Sequence, residues 1–193
     1  MRIIAGSSKG TRLKTVQSFH VRPTTDRVKE SLFQVIGPFF DGGWVLDLFA
    51  GSGSLGLEAL SRGADRAVFV DRDRASVDVI RRNLEAARMG RRAEVYQRDA
   101  RAALRILAKR ETAFRLIFLD PPYKEDILPD ILTAIDERKL LEEGGWVIAE
   151  HGGDRPLGPA YGRLVQSRSL VYGDTQIDLY TREADSEEGG GNR

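Results

Sequence analysis

The chain of 193 residues has no cysteine, two histidines (His20 and His151), two methionines and two tryptophans. Without thiols there is no disulfide framework, no thiolate metal ligand and no cysteine nucleophile. Two imidazoles are too few for a histidine-built metal centre, so no metal site is expected. Long apolar runs are missing as well. Met1-Arg2-Ile3-Ile4-Ala5-Gly6 carries no leader-like stretch, and nothing approaches the ~20 residues of a membrane span. These absences predict a cytoplasmic protein with no membrane partner. What is present, 41% hydrophobic residues, suffices for one well-buried core.

A large net charge is lacking too, at +1, but the balance is uneven. Residues 1–30 hold Arg2, Lys9, Arg12, Lys14, Arg22, Arg27 and Lys29 against Asp26 and Glu30, a surplus of +5, whereas residues 183–193 total −3. The basic end is the better surface for a polyanion, although charge runs also serve as solvated arms. The acidic, glycine-rich segment 183–193 reads as a disordered tail.

Patterning divides the rest into an N-terminal extension (residues 1–37) and an α/β unit (38–182). Arg2 to Gly6 and Arg12 to Val16, around Ser7-Ser8-Lys9-Gly10, predict a small basic hairpin. Thr24 or Thr25 is placed to cap a helix with Val28, Leu32, Val35 and Ile36 on one face, stopped at Gly37-Pro38. From Trp44 onward short apolar runs alternate with amphipathic stretches. Strands are expected at 44–49, 67–70, 93–96, 115–119 and 146–149, and helices at 55–60, around Val77, Ile80 and Leu84, at 100–109 and at 127–141. This order suits parallel strands with crossover helices. Segments 163–171 and 176–181 flank Tyr172-Gly173-Asp174-Thr175 and predict an antiparallel hairpin closing the sheet.

Gly51-Ser52-Gly53-Ser54-Leu55-Gly56 follows the first strand and opens a helix, with Asp71 twenty residues on, the spacing of a dinucleotide-binding turn. Asp47 argues for another ligand. A carboxylate there would repel a pyrophosphate, but it would favour the ammonium and sulfonium of S-adenosylmethionine. Asp71 suits two ribose hydroxyls, and Asp99, ending the third strand, suits an adenine amine beside the Ala100 amide. Each acid alone would serve equally well as a cap. Their convergence at successive strand ends, which border the crevice of an open α/β sheet, favours a ligand. Phe49, Ala50, Gly51, Gly53 and Arg72 complete the expected cofactor-binding set.

The fourth strand runs directly into Asp120-Pro121-Pro122-Tyr123. Two prolines lock φ and remove two amide donors, so the carbonyls of Asp120 and Pro121 are held outward as acceptors. With a carboxylate and an aromatic ring beside them, the set suits an exocyclic amine on a planar base, its N–H groups accepted and its face stacked on Tyr123. Proline pairs also end strands in ordinary turns. Next to a methyl-donor pocket the set predicts methyl transfer to an amine. Methylation at carbon 5 of a pyrimidine, which needs a thiolate, is excluded with the cysteines.

Arg2-Ile3-Ile4-Ala5-Gly6, Arg22-Pro23-Thr24-Thr25-Asp26-Arg27-Val28-Lys29-Glu30, the Asp47 to Gly53 turn and Asp120-Pro121-Pro122-Tyr123 together resemble the bacterial RsmD family, the 16S rRNA guanine-N2 methyltransferases. The resemblance spans residues 2 to about 182. Its glycine and Pro-Pro motifs mark only amino-methyltransferases in general; the Arg-Pro-Thr-Thr-Asp-Arg segment is more specific. It implies a class I S-adenosylmethionine-dependent methyltransferase fold, Rossmann-like, with a seven-stranded, mostly parallel sheet and an antiparallel C-terminal hairpin. It further implies S-adenosylmethionine as cofactor, Asp120, Pro121, Pro122 and Tyr123 as catalytic residues, and 16S rRNA or a small-subunit assembly particle as partner; nothing in the sequence demands a dimer, so a monomer is expected. Lys9, Arg12, Lys14 and Arg22 would then bind RNA phosphates. Thr24, Asp26 and Arg27 would wall the target pocket, or else fix the hairpin to the helix through a cap and an ion pair. The residues alone leave open adenine N6 in DNA or RNA, a protein amide, or a catalytically silent rRNA-binding assembly factor.

Overall fold

A computed structural model describes residues 1–17 and 24–184. Its elements run α1 (Asp26–Ile36), β1 (Trp44–Asp47), α2 (Ser54–Ser61), β2 (Arg66–Asp71), α3 (Arg74–Ala86), β3 (Ala93–Gln97), α4 (Ala100–Lys109), β4 (Phe114–Leu119), α5 (Leu128–Glu137), β5 (Leu141–Gly152), β6 (Ala160–Tyr161), β7 (Leu164–Tyr172) and β8 (Thr175–Arg182). The sheet order is β3-β2-β1-β4-β5-β8-β7-β6, with the first five strands parallel and the last three antiparallel. The chain leaves β1 outward through β2 and β3 and returns to β4 on the other side. The C-terminal ends of β1 and β4 therefore border the switch-point crevice. Beyond the seven expected strands, the sheet gains an eighth, the two-residue edge strand β6.

Both faces of the parallel sheet are covered at its centre, which is why β1, β2 and β4 read as continuous apolar runs. Val45, Phe69 and Phe118 point toward the layer of α1, α2 and α3. Leu46, Val68 and Ile117 point the other way, against α4 and α5. Among the described residues no helix is long and apolar enough to cross a membrane.

Two expectations shift. The helix expected over 127–141 ends at Glu137, because Lys139 takes a left-handed turn (φ 53°) and Leu141 enters β5 opposite Phe114. The N-terminal hairpin contracts to a single bridge between Arg2 and Arg12. Across it the Ile3 amide donates to the Thr11 carbonyl, Gly10 to Ile3 and Leu13 to Met1, while other amides have found side chains. Ile4 and Ala5 donate to the Glu58 carboxylate at 3.0 and 3.1 Å, and Lys14 exchanges N–H and C=O with the Asn83 amide at 2.8 and 2.9 Å.

Glu58 is fully buried between Lys29 (3.3 Å) and Arg62 (2.8 Å), and Lys29 also donates to the Arg2 carbonyl at 2.7 Å. Breaking one arm of such a network costs about 3–5 kcal/mol because a buried charge is left unpaired. The extension is thereby tied to α2, and Ile3, Leu13, Leu32 and Phe33 share one apolar cluster with Leu57 and Leu60.

Candidate active site

A cavity of about 610 Å³ opens at the C-terminal ends of β1, β2 and β4. Of the expected cofactor residues, Asp47, Phe49, Ala50, Gly51, Asp71, Arg72, Asp99 and Ala100 line it. Gly53 stands behind the wall as the left-handed residue (φ 79°) that starts α2. Gly56, one turn on, permits the close approach of α2 to the sheet. A Cβ there would lie 2.4 Å from the Phe69 ring.

Each acid of this half is held by backbone amides. Asp47, 3% exposed, accepts from the Gly56 amide at 3.0 Å. Burial pushes its carboxyl up to about 7, opposed by that amide and assisted by the nearby Asp71 charge. Asp71 accepts from Gly51 through one oxygen and from Asp73 through the other, both at 2.9 Å. Burial raises its carboxyl, and the two amides oppose the shift. Asp99 caps α4, one oxygen accepting from Arg101 at 3.0 Å and Ala102 at 3.2 Å. Arg72 reaches across the mouth to Glu125 at 2.7 Å, an exposed pair that links the end of β2 to the loop after β4.

The other half is built differently. Asp120, Pro121, Pro122 and Tyr123 line the same cavity. Among the described residues no hydrogen bond or ion pair engages the Asp120 carboxylate. Burial, then the charges of Glu150 and Asp47, hold its carboxyl well above the usual range. The Tyr123 hydroxyl donates to Glu150 at 3.0 Å and meets the Thr175 hydroxyl at 2.8 Å, which leaves the ring 39% exposed. Burial raises this phenol to about 12, so it stays protonated at neutral pH.

The extension divides. Thr24 lines the cavity, and its hydroxyl donates to Glu150 at 3.4 Å. Thr25, not Thr24, caps α1 by accepting from the Val28 amide at 3.3 Å. Asp26 faces Arg2, accepting from its amide at 3.3 Å and lying 3.8 Å from its guanidinium, the ion pair that joins hairpin to helix. Arg27, Lys9, Arg12 and Lys14 are exposed away from the cavity wall, and Arg22 lies outside the described residues.

Glu150 escaped the motif reading. It follows the apolar run Trp146 to Ala149, and the pairing of Leu119 with Ala149 places it beside Asp120. The rule that picked out Asp47, Asp71 and Asp99, an acid ending an apolar strand run, applies to it as well.

The sequence pattern of the family described as conserved hypothetical protein 95 matches residues 1–181. The Bacillus subtilis protein YlbH is 52% identical over 182 residues, covering 94% of this chain and 99% of its own. The Escherichia coli ribosomal RNA small subunit methyltransferase D is 37% identical over 195 residues, covering 97% and 92%. The solved structure of the Escherichia coli methyltransferase yhhF superposes with a TM-score of 0.82 at 34% identity, over 95% of this chain and 98% of that one. The doubly wound sheet with its antiparallel C-terminal hairpin is the class I methyltransferase fold. With the family pattern matched over 181 residues and relatives similar over nearly their whole length, the chain belongs to the RsmD family.

Proposed function

We propose that the protein transfers the methyl group of S-adenosylmethionine to the exocyclic N2 amine of a guanine in small-subunit rRNA. The observation that carries this reading is the Asp120 carboxylate, an acceptor without a hydrogen-bond partner among the described residues, set beside the Tyr123 ring in a cavity shared with Asp47 and the glycine turn. The names of the relatives support the RNA substrate, since one is a ribosomal RNA small subunit methyltransferase.

The cofactor half fits the donor chemically. Asp47 is a buried carboxylate with no basic side chain paired to it among the described residues, and a ligand cation would relieve it. A Cβ on Gly51 would meet nothing within 4 Å, so there is open space above the turn. Asp71 keeps lone pairs for ribose hydroxyls beyond the two amides it accepts from. When bound, the donor supplies an electrophilic methyl group on a sulfonium leaving group.

The residues of the chain then have mainly to align and to accept. Asp120 and the Pro121 carbonyl take the N–H hydrogens of the target amine, which turns its lone pair toward the methyl group. Asp120 receives the proton as positive charge develops on nitrogen. Tyr123 stacks on a base extruded from the RNA, its hydroxyl anchored by Glu150 and Thr175. In this reading residues 1–37 are an RNA-facing extension whose Lys9, Arg12, Lys14 and Arg22 hold phosphates, on a methyltransferase unit of residues 38–182 that works as a cytoplasmic monomer.

The test is to incubate the protein with labelled donor and small-subunit particles or rRNA lacking the modification, and to identify the product by mass spectrometry of nucleosides. N2-methylguanosine is expected. N6-methyladenosine would move the target to adenine. Absence of donor binding by calorimetry would leave only a silent RNA-binding factor.

A further inference from the structure

Sequence and topology place two carboxylates side by side where the proposed amine would enter. Leu119 of β4 pairs with Ala149 of β5 in parallel register, so the next residues, Asp120 and Glu150, leave neighbouring strands together. Glu150 is 8% exposed. Its described hydrogen bonds come from neutral hydroxyls alone, Tyr123 at 3.0 Å on one oxygen and Thr24 at 3.4 Å on the other.

No lysine or arginine is ion-paired with Glu150 among the described residues. The nearby His151 ring is committed elsewhere. Both its nitrogens face acceptors, the Gly152 carbonyl at 2.9 Å and the Asp178 carboxylate at 2.8 Å. A carboxylate offers about four lone-pair sites, and two hydroxyls leave some of them unmet. A nearly buried acid in this state, beside a second acid with no hydrogen-bond partner among the described residues, is costly unless a ligand brings donors. Thr24 and Tyr123, the two residues that bond Glu150, line the cavity, and Glu150 itself lines a smaller adjoining cleft that shares Pro121, Pro122 and Tyr123 with the cavity wall.

Two neighbouring acceptors ask for two neighbouring donors. The amine edge of guanine supplies them, N1–H beside the N2 amine. Adenine places a lone pair at N1, which a carboxylate opposes. The geometry points to Glu150 as the acceptor of the guanine N1–H, the residue that makes the site select guanine while Asp120 handles the N2 amine. This inference rests on the guanine-N2 reading above and names the residue that reads the base.

A purely structural Glu150, bracing Tyr123 and Thr24, would affect every base alike. The experiment therefore compares bases. RNA fragments carry either guanine or 2-aminopurine at the methylated position. The latter keeps the 2-amine but has an acceptor at N1. Wild-type protein should prefer guanine by roughly 100-fold in kcat/KM, because the unpaired carboxylate rejects the analogue. Glu150→Gln supplies an amide N–H for that acceptor, so guanine RNA should lose at least about tenfold and the preference should shrink below about threefold. Equal loss on both RNAs, with the preference unchanged, would overturn the inference. Should the variant fail to fold, wild-type protein still decides: 2-aminopurine RNA methylated as fast as guanine RNA overturns the proposal. If wild-type protein makes no N2-methylguanosine at all, the functional reading itself has failed, which is a distinct result.

Discussion

The acids at the ends of β1, β2 and β3 line one cavity with Asp120 after β4, and Glu150 of β5 stands beside Asp120 in an adjoining cleft, but the two groups are finished to different degrees. Asp47, Asp71 and Asp99 are each bound by backbone amides of the adjoining turns. Among the described residues Asp120 has no such partner, and Glu150 has only hydroxyls. The fold builds the donor half in advance and leaves the acceptor half to be completed by substrate. Electrostatics tuned to a ligand cost stability in its absence, and carboxyls raised by burial in both groups, Asp47 and Asp71 as well as Asp120 and Glu150, are the sign of that cost.

The sharpest break in this comparison is Asp120→Ala. If the two halves are separable, single-turnover methylation should fall by about 10²–10³-fold or more, since an acceptor aimed at developing charge is lost. Donor affinity by calorimetry should stay within about threefold, because no donor-side residue bonds to Asp120. A parallel loss of donor binding would show the halves to be one unit. The raised Asp120 carboxyl also sets a pH dependence. Acceptance of the amine hydrogens needs the ionised form, so activity should fall as pH drops through a value above the ordinary carboxylate range.

Asp47→Asn tests the finished half. Loss of a charge-assisted partner, worth about 1.5–3 kcal/mol, should weaken donor binding by roughly 10–100-fold. The ligand-free fold should respond the other way. A folded-state carboxyl raised from 3.8 to about 7 contributes stability that is complete below the unfolded value and lost as pH rises through the folded one. The variant should therefore melt above wild type at pH 8 and converge with it near pH 4, because its amide oxygen can still accept from Gly56. A variant less stable at pH 8 would make Asp47 a structural cap first.

Tyr123→Phe keeps the ring and deletes the hydroxyl that joins Glu150 to Thr175. One hydrogen-bonding group at about 0.5–1.5 kcal/mol predicts a three- to tenfold fall in kcat/KM with donor affinity unchanged. No change would mean that the ring alone positions the base.

The unequal finish of the two halves also explains what was legible in the chain. Buried parallel strands announce themselves as apolar runs, so β1, β2 and β4 and the acids at their ends could be read directly, whereas the edge strand β3 is half-exposed. Turn chemistry marked Gly51, Gly53 and the two prolines. Glu150 carries no such mark. Its strand continues to Gly152 as the antiparallel partner of β8, with Glu150 opposite Ile177, so no turn follows the acid. The hairpin is shorter than its pattern suggests for a related reason, since Glu58 and Asn83, which take the amides of Ile4, Ala5 and Lys14, lie more than fifty residues away in sequence. The Thr24 to Arg27 segment held both meanings at once. Thr25 and Asp26 join helix to hairpin, whereas Thr24 faces the cavity.

The smallest expected effect belongs to Asp99, where cap and ligand contact can be separated. One oxygen accepts both the Arg101 and Ala102 amides, so Asp99→Ala removes an N-cap worth about 1 kcal/mol and should lower Tm by about 2–4 °C. Asp99→Asn caps nearly as well and should restore that loss. The amide brings a side-chain N–H where the carboxylate had only acceptors, so any contact with the adenine amine is weakened even though the helix start is kept. If Asp99 serves only the helix, the Asn variant should match wild type in both melting and donor affinity. If it also accepts from adenine, the Asn variant should melt like wild type yet bind donor several-fold more weakly, a contact worth about 0.5–1.5 kcal/mol. An Asn variant as unstable as the Ala variant would fit neither role and would remove Asp99 from the finished half.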